Sequence, residues 1–162
     1  MNQAHYHLLL NHLPIIIPIV GLLVLTVGFI FKSEIVKRTA FAVFILAALT
    51  AIAAFATGDG AGEVIKNLPG VNEQVIHDHE EVAETFSILI YVLGGTSLIA
   101  LWLNWKQKTY ASLFAVIVMA LAIVVIFFAK QTGTTGGIIR HTEIRTDSMG
   151  KQNLGNKNEN DD

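Results

Sequence analysis

The chain has 162 residues, 52% of them hydrophobic and 15% charged, with a formal net charge of −2 and a mean hydropathy of +0.54. That composition excludes an ordinary soluble globular protein, and no nucleic-acid partner is expected. The absence of cysteine excludes disulfides, thiolate metal sites, iron–sulfur clusters and covalently attached haem, so any metal must rely on histidine, carboxylate or methionine.

Four stretches, 13–31, 39–57, 85–103 and 109–129, contain no Asp, Glu, Lys, Arg or His. At about 1.5 Å per residue each is long enough to cross the roughly 30 Å hydrocarbon layer as a helix. Backbone groups in lipid must find partners within the segment, which makes a helix the only open-ended choice for single apolar runs. The expected fold is therefore all-α: an integral membrane four-helix bundle of two helical hairpins, occupying residues 1–145.

The residues before Leu13 carry His5, His7 and His12 but no Lys or Arg. Without a basic region or a small-residue cleavage site, the first span is expected to stay in the protein rather than to be removed as a signal peptide. His12 precedes Pro14, and Pro18 frees the carbonyl of Pro14 by removing one intrahelical hydrogen bond. Such a carbonyl near His12 could hold its ring by accepting the second N–H, as metal-bound histidines generally need. Gly21 and Gly28 are read as helix-packing positions.

The short connection after the first span carries Lys32, Lys37 and Arg38, and the one after the third carries Lys106 and Lys108. By the excess of positive charge in cytoplasmic loops, both should face the cytoplasm, placing both termini and the 58–84 loop outside. Trp102, Trp105 and Tyr110 would form an aromatic belt on the cytoplasmic side. On the second span, Ala47, Ala51, Ala54 and Gly58 recur at helical spacing, which suits either close helix packing or room for a flat cofactor. The Gly58–Gly62 run and Pro69-Gly70 read as turns, with helix resuming from about Asn72. No ionisable residue lies within the four apolar runs, which disfavours a secondary transporter or proton pump.

At the head of the third helix, Val75, Ile76, Val82, Ala83 and Phe86 recur at helical spacing with His79 among them, so His79 points inward. His77, Glu81 and Glu84 share another, solvated face. After the fourth span, Gly133 and Gly136-Gly137 predict an extended segment at 138–145 that folds back as a cap within 133–145. In that geometry His141 and Glu143 project together and Arg140 projects opposite. Residues 146–162 have little to bury and are expected to be disordered.

All six histidines thus fall on one expected side. His12 and His79 form the expected centre, with His5, His7 and His77 outside it. Such a pair could clamp haem b from both sides, with Arg140 on a propionate. Alternatively His12, His79, His141 and Glu143 could hold Zn, Cu or Fe, and an open coordination position would make the site catalytic.

His12-Leu13-Pro14, Thr57-Gly58, a histidine heading the third helix, and Gly136-Gly137-Ile138-Ile139-Arg140-His141 resemble the bacterial four-helix membrane family called domain of unknown function 2231. The resemblance covers about residues 5 to 145. It differs in lacking a His-Pro pair before His12 and a Gly directly after His141. It implies a four-helix bundle in a bacterial inner membrane and no particular reaction. Three functional expectations follow: a haem b electron-transfer protein, possible partner of a periplasmic electron carrier; a non-haem metal protein; or a structural subunit bound to other membrane subunits.

Overall fold

The computed structural model describes residues 3–58, 60–62 and 73–140. Helix α1 spans Gln3–Leu10, α2 Leu13–Ile30, α3 Glu34–Ala56, α4 Glu73–Trp105 and α5 Ala111–Arg140. Four helices are long and apolar enough to cross a membrane, and they pack in a closed ring: α2 on α3, α3 on α4, α4 on α5 and α5 back on α2. The fold is an all-α four-helix bundle, and its length and apolarity mark a multi-pass membrane protein.

Each long helix buries residues at alternating steps of three and four. On α2 these are Pro14, Pro18, Gly21, Leu25 and Gly28; on α3 Lys37, Ala40, Phe44, Ala47, Ala51 and Ala54. On α4 the series is Phe86, Ile90, Leu93, Ser97, Ala100 and Asn104, and on α5 Ala115, Val118, Ala122, Val125, Ala129 and Thr132. This is a heptad seam, the 3.5-residue repeat that suits left-handed bundles. The opposite faces expose large apolar side chains such as Leu23, Leu49, Leu98 and Val116, as a lipid-facing surface requires. Close approach is set by glycine: a Cβ on Gly94 would lie 2.5 Å from Ala48 Cβ, and one on Gly21 2.6 Å from the Phe44 ring.

The hairpins close in the same way. Ser33 N–H donates to Gly28 O at 3.0 Å and Lys32 N–H to Phe29 O at 3.2 Å; Lys108 N–H donates to Leu103 O at 3.0 Å and Gln107 N–H to Asn104 O at 3.2 Å. Both are Schellman closures, in which one residue turns left-handed to satisfy the last helical carbonyls. Lys32 (φ 50°) and Gln107 (φ 51°) occupy that position. Beside these turns a polar cluster joins the hairpins. Arg38 Nε donates to Asn104 Oδ1 at 2.5 Å and its terminal nitrogen to Asn104 O at 3.1 Å. The Asn104 amide donates to Glu34, and Lys37, nearly buried, pairs with Glu34 at 2.8 Å over the Phe29 ring.

Two expectations need correction. Residues 133–140, expected to leave the helix at Gly133 and Gly136-Gly137, continue α5 as helix to Arg140. Three glycines cost helix stability, roughly 1 kcal/mol each against alanine, but close packing against α4 uses the missing side chain at Gly136. Gly58 and residues 60–62, expected as an opening turn, are also helical. His141, Glu143 and 146–162 lie outside the described residues.

Candidate functional site

At the end of the bundle away from the two short turns, α1 leads into α2. Pro14 has no N–H to offer the Leu10 carbonyl, so the hydrogen-bond ladder is interrupted at Asn11–His12 although His12 keeps helical dihedrals, and α1, like α2, packs on α3. This places His7 at the end of α3, where its Nδ1 lies 3.0 Å from Ala54 O and 3.3 Å from Thr57 Oγ1. A Cβ on Gly58 would stand 3.7 Å from the His7 ring.

His79 comes from α4. Ile76 and Phe86 are buried and Ala83 is half-buried, and with His79 they extend the heptad seam of that helix by steps of three, four and three. His79 is half-buried and its Nδ1 lies 2.9 Å from Thr135 Oγ1 of α5. A Cβ on Gly136 would be 3.1 Å from His79 Cε1, so glycine is what lets α5 cover the ring. His7 is near enough that a proton on it would disfavour one on His79.

The proton positions follow from the partners. A carbonyl can only accept, so His7 Nδ1 carries hydrogen toward Ala54 O. Thr57 spends its single hydroxyl hydrogen on Ala53 O or Ala54 O, and Thr135 spends its own on Gln131 O or Thr132 O. With the threonine hydrogens so placed, each threonine oxygen accepts from the imidazole and both rings carry hydrogen on Nδ1; a Thr135 hydrogen turned toward His79 instead would put that ring's hydrogen on Nε2. In the Nδ1–H form Nε2 keeps its lone pair, the form in which imidazole binds a metal or takes a proton.

His12 occupies a different place. It is exposed, sits at the N-cap of α2 and makes no capping hydrogen bond through its side chain. The histidine on the His79 side is His7, which sits five residues before His12 on α1 and against the end of α3. His77 is exposed, as are Glu81 and Glu84. Arg140 ends α5, and the remaining expected site residues, His141 and Glu143, lie outside the described residues. Among the described residues no group of three or more His, Asp or Glu side chains is arranged to hold a metal ion, so a metal on His7 and His79 would need further donors. The alanine stripe of α3 is filled by neighbouring helices: Ala47, Ala51 and Ala54 are 0%, 2% and 7% exposed, the packing use of small residues.

Comparison with protein-family models finds no match, and comparison with curated proteins and with solved structures finds none either.

Proposed function

We propose that this chain is a bacterial inner-membrane protein whose periplasmic end carries a two-histidine centre, His7 and His79, that binds a transition metal ion such as Zn, Cu or Fe. The supporting observation is a shared arrangement: two imidazoles from different helices are both held through Nδ1, one by Ala54 O and one by Thr135 Oγ1, which in the Nδ1–H form leaves Nε2 as the lone-pair nitrogen. His141 and Glu143, which follow α5 in sequence, are the candidates for additional donors. A metal so held would act as a Lewis acid or a one-electron carrier, while the chain's own residues orient the rings through Ala54, Thr57 and Thr135. The basic turns support the orientation, and the resemblance to domain of unknown function 2231 supports the bacterial setting.

Haem b with electron transfer is the second reading, favoured by the same pair of free Nε2 atoms. It is less well supported at the slot suggested by Ala47, Ala51 and Ala54, which helix packing fills, and at His12, which is exposed. The third reading is a structural subunit of a larger membrane assembly.

The test is elemental analysis with an absorption spectrum of the purified protein and its histidine variants. Stoichiometric metal without a Soret band, lost in His7→Ala and His79→Ala but kept in His12→Ala and His77→Ala, is the expected result. A Soret band supports haem. Loss of cofactor with His12→Ala but not His7→Ala would restore the His12–His79 pairing, and neither metal nor haem would leave the structural role. Orientation is tested separately: cysteines at Ser33 and Gly60 should react with an impermeant reagent from opposite sides.

A further inference from the structure

The end of the bundle opposite the histidines carries an excess of positive charge. Residues 31–38 and 104–110 hold five cations, Lys32, Lys37, Arg38, Lys106 and Lys108, against one carboxylate, Glu34. That carboxylate is taken by Lys37, the only ion pair among the described residues, and by the Asn104 amide. Arg38 bonds to the side-chain and backbone oxygens of Asn104, both neutral groups. These bonds tie a cation of the first hairpin two residues from Lys106, so the charges of both turns gather at one end. Lys106 and Lys108 are exposed.

The neighbouring side chains are apolar and equally exposed. Trp102 is 53%, Trp105 70% and Tyr110 64% exposed, next in sequence to the lysines. An aromatic ring with one polar atom beside a free ammonium group suits the glycerol and headgroup layer of a bilayer. The opposite end differs, since the first turns of α4 carry Glu73, Asp78, Glu80, Glu81 and Glu84.

We propose that the turn end selects anionic phospholipids, whose phosphate-bearing headgroups are held by Lys106 and Lys108 beside the Asn104-anchored Arg38, with Trp102 and Trp105 lying along the same lipids. The occupant is a lipid because the lysines adjoin an exposed apolar surface that free phosphate would leave uncovered. A basic residue near an anionic surface favours it by about fivefold at moderate salt, so two lysines are enough for a measurable preference.

The chain contains two tryptophans, both at this end, so its own fluorescence reports which lipids stand there. The full chain would be reconstituted into phosphatidylcholine bilayers containing a small fraction of acyl-brominated lipid, as phosphatidylglycerol or as phosphatidylcholine. The expected result is about fivefold or greater preference for brominated phosphatidylglycerol in quenching, reduced by about fivefold or more in Lys106→Gln/Lys108→Gln. Both lysines are exposed, and circular dichroism would confirm that the variant keeps its helices. In the unaltered chain the preference should also shrink as sodium chloride is raised, since surface charges are screened. Equal quenching by the two brominated lipids overturns the proposal, as does a preference left unchanged by the double substitution. Inorganic phosphate that erases the preference at an ionic strength where chloride does not would show a site for free phosphate and overturn the lipid assignment.

Discussion

His79 and Thr135 meet across α4 and α5 at 2.9 Å, and when Thr135 donates back to its own helix its oxygen is the acceptor for the ring. Thr135→Val should remove that acceptor while keeping side-chain volume, and Thr135→Ser should keep it. In nitrogen NMR of labelled histidine, the Nδ1–H form of His79 should dominate in the unaltered chain and in Thr135→Ser, and lose its preference in Thr135→Val. If a metal is bound, Thr135→Val should weaken it by about 10- to 100-fold, the usual cost of losing an outer partner of a ligand. Unchanged tautomer populations in Thr135→Val would show that Thr135 does not set the ring.

The same ring makes the histidine end sensitive to acid. His79 precedes the apolar run 85–103, on the polar extension of α4. Burial first, and the charge of a protonated His7 second, hold its proton affinity below the ordinary value of 6.5. The unfolded chain therefore binds a proton here more readily than the folded chain. Stability is full above the ordinary value and is lost as pH falls from there through the lowered one. Thermal unfolding of the unaltered chain should show this loss, and His79→Gln should flatten it. A His79→Gln profile parallel to the parent would assign the pH dependence elsewhere.

Gly94 and Gly95 are neighbours with opposite surroundings. A Cβ on Gly94 would press on Ala48 at 2.5 Å, whereas one on Gly95 meets nothing within 4 Å. Gly94→Ala should destabilise the bundle by about 1–3 kcal/mol through forced separation of α3 and α4. Gly95→Ala should be neutral or stabilising by up to about 1 kcal/mol, since alanine is the better helix former. Unfolding titrations in detergent would give both values, and equal effects would contradict the assigned facing of α4.

Lys32 and Gln107 adopt the left-handed conformation that costs a side-chain-bearing residue roughly 1–2 kcal/mol and glycine little. Lys32→Gly and Gln107→Gly should each raise stability by about 1 kcal/mol, and valine at either position should lower it. The paired effects should be similar because the two turns have matching hydrogen bonds. A stabilising valine would rule out the left-handed turn.

Run length alone located the four helices, because an uninterrupted apolar stretch of membrane thickness has few other uses. The facing of His79 was also legible, since the head of α4 is amphipathic and its stripe could be seen against His77, Glu81 and Glu84. Within the spans that contrast vanishes: Leu23 and Leu98 on the outside are as apolar as Leu25 and Leu93 inside. Size carries the signal there, in the Pro, Gly, Ala and Ser residues of the seams, and it becomes readable once the heptad step is known. The continuation of α5 through Gly133, Gly136 and Gly137 ran against local propensity and was settled by tertiary contact. His7 was missed because its placement depends on the packing of α1 against α3, a tertiary contact.

Helix α4 has 33 residues, about 50 Å at 1.5 Å per residue, against a hydrocarbon layer of roughly 30 Å. Its surplus stands at the histidine end and acts as a lever. Helices answer a change in bilayer thickness by tilting, and His79 lies about 9 Å beyond the apolar run at position 85. A tilt of about 10° would carry it sideways by about 1.5 Å. His7 rides on α1, coupled to the end of α3, and need not follow that arc. A tilt of α4 relative to α1 would change the spacing of the two imidazoles, and bilayer thickness is one quantity that would set such a tilt.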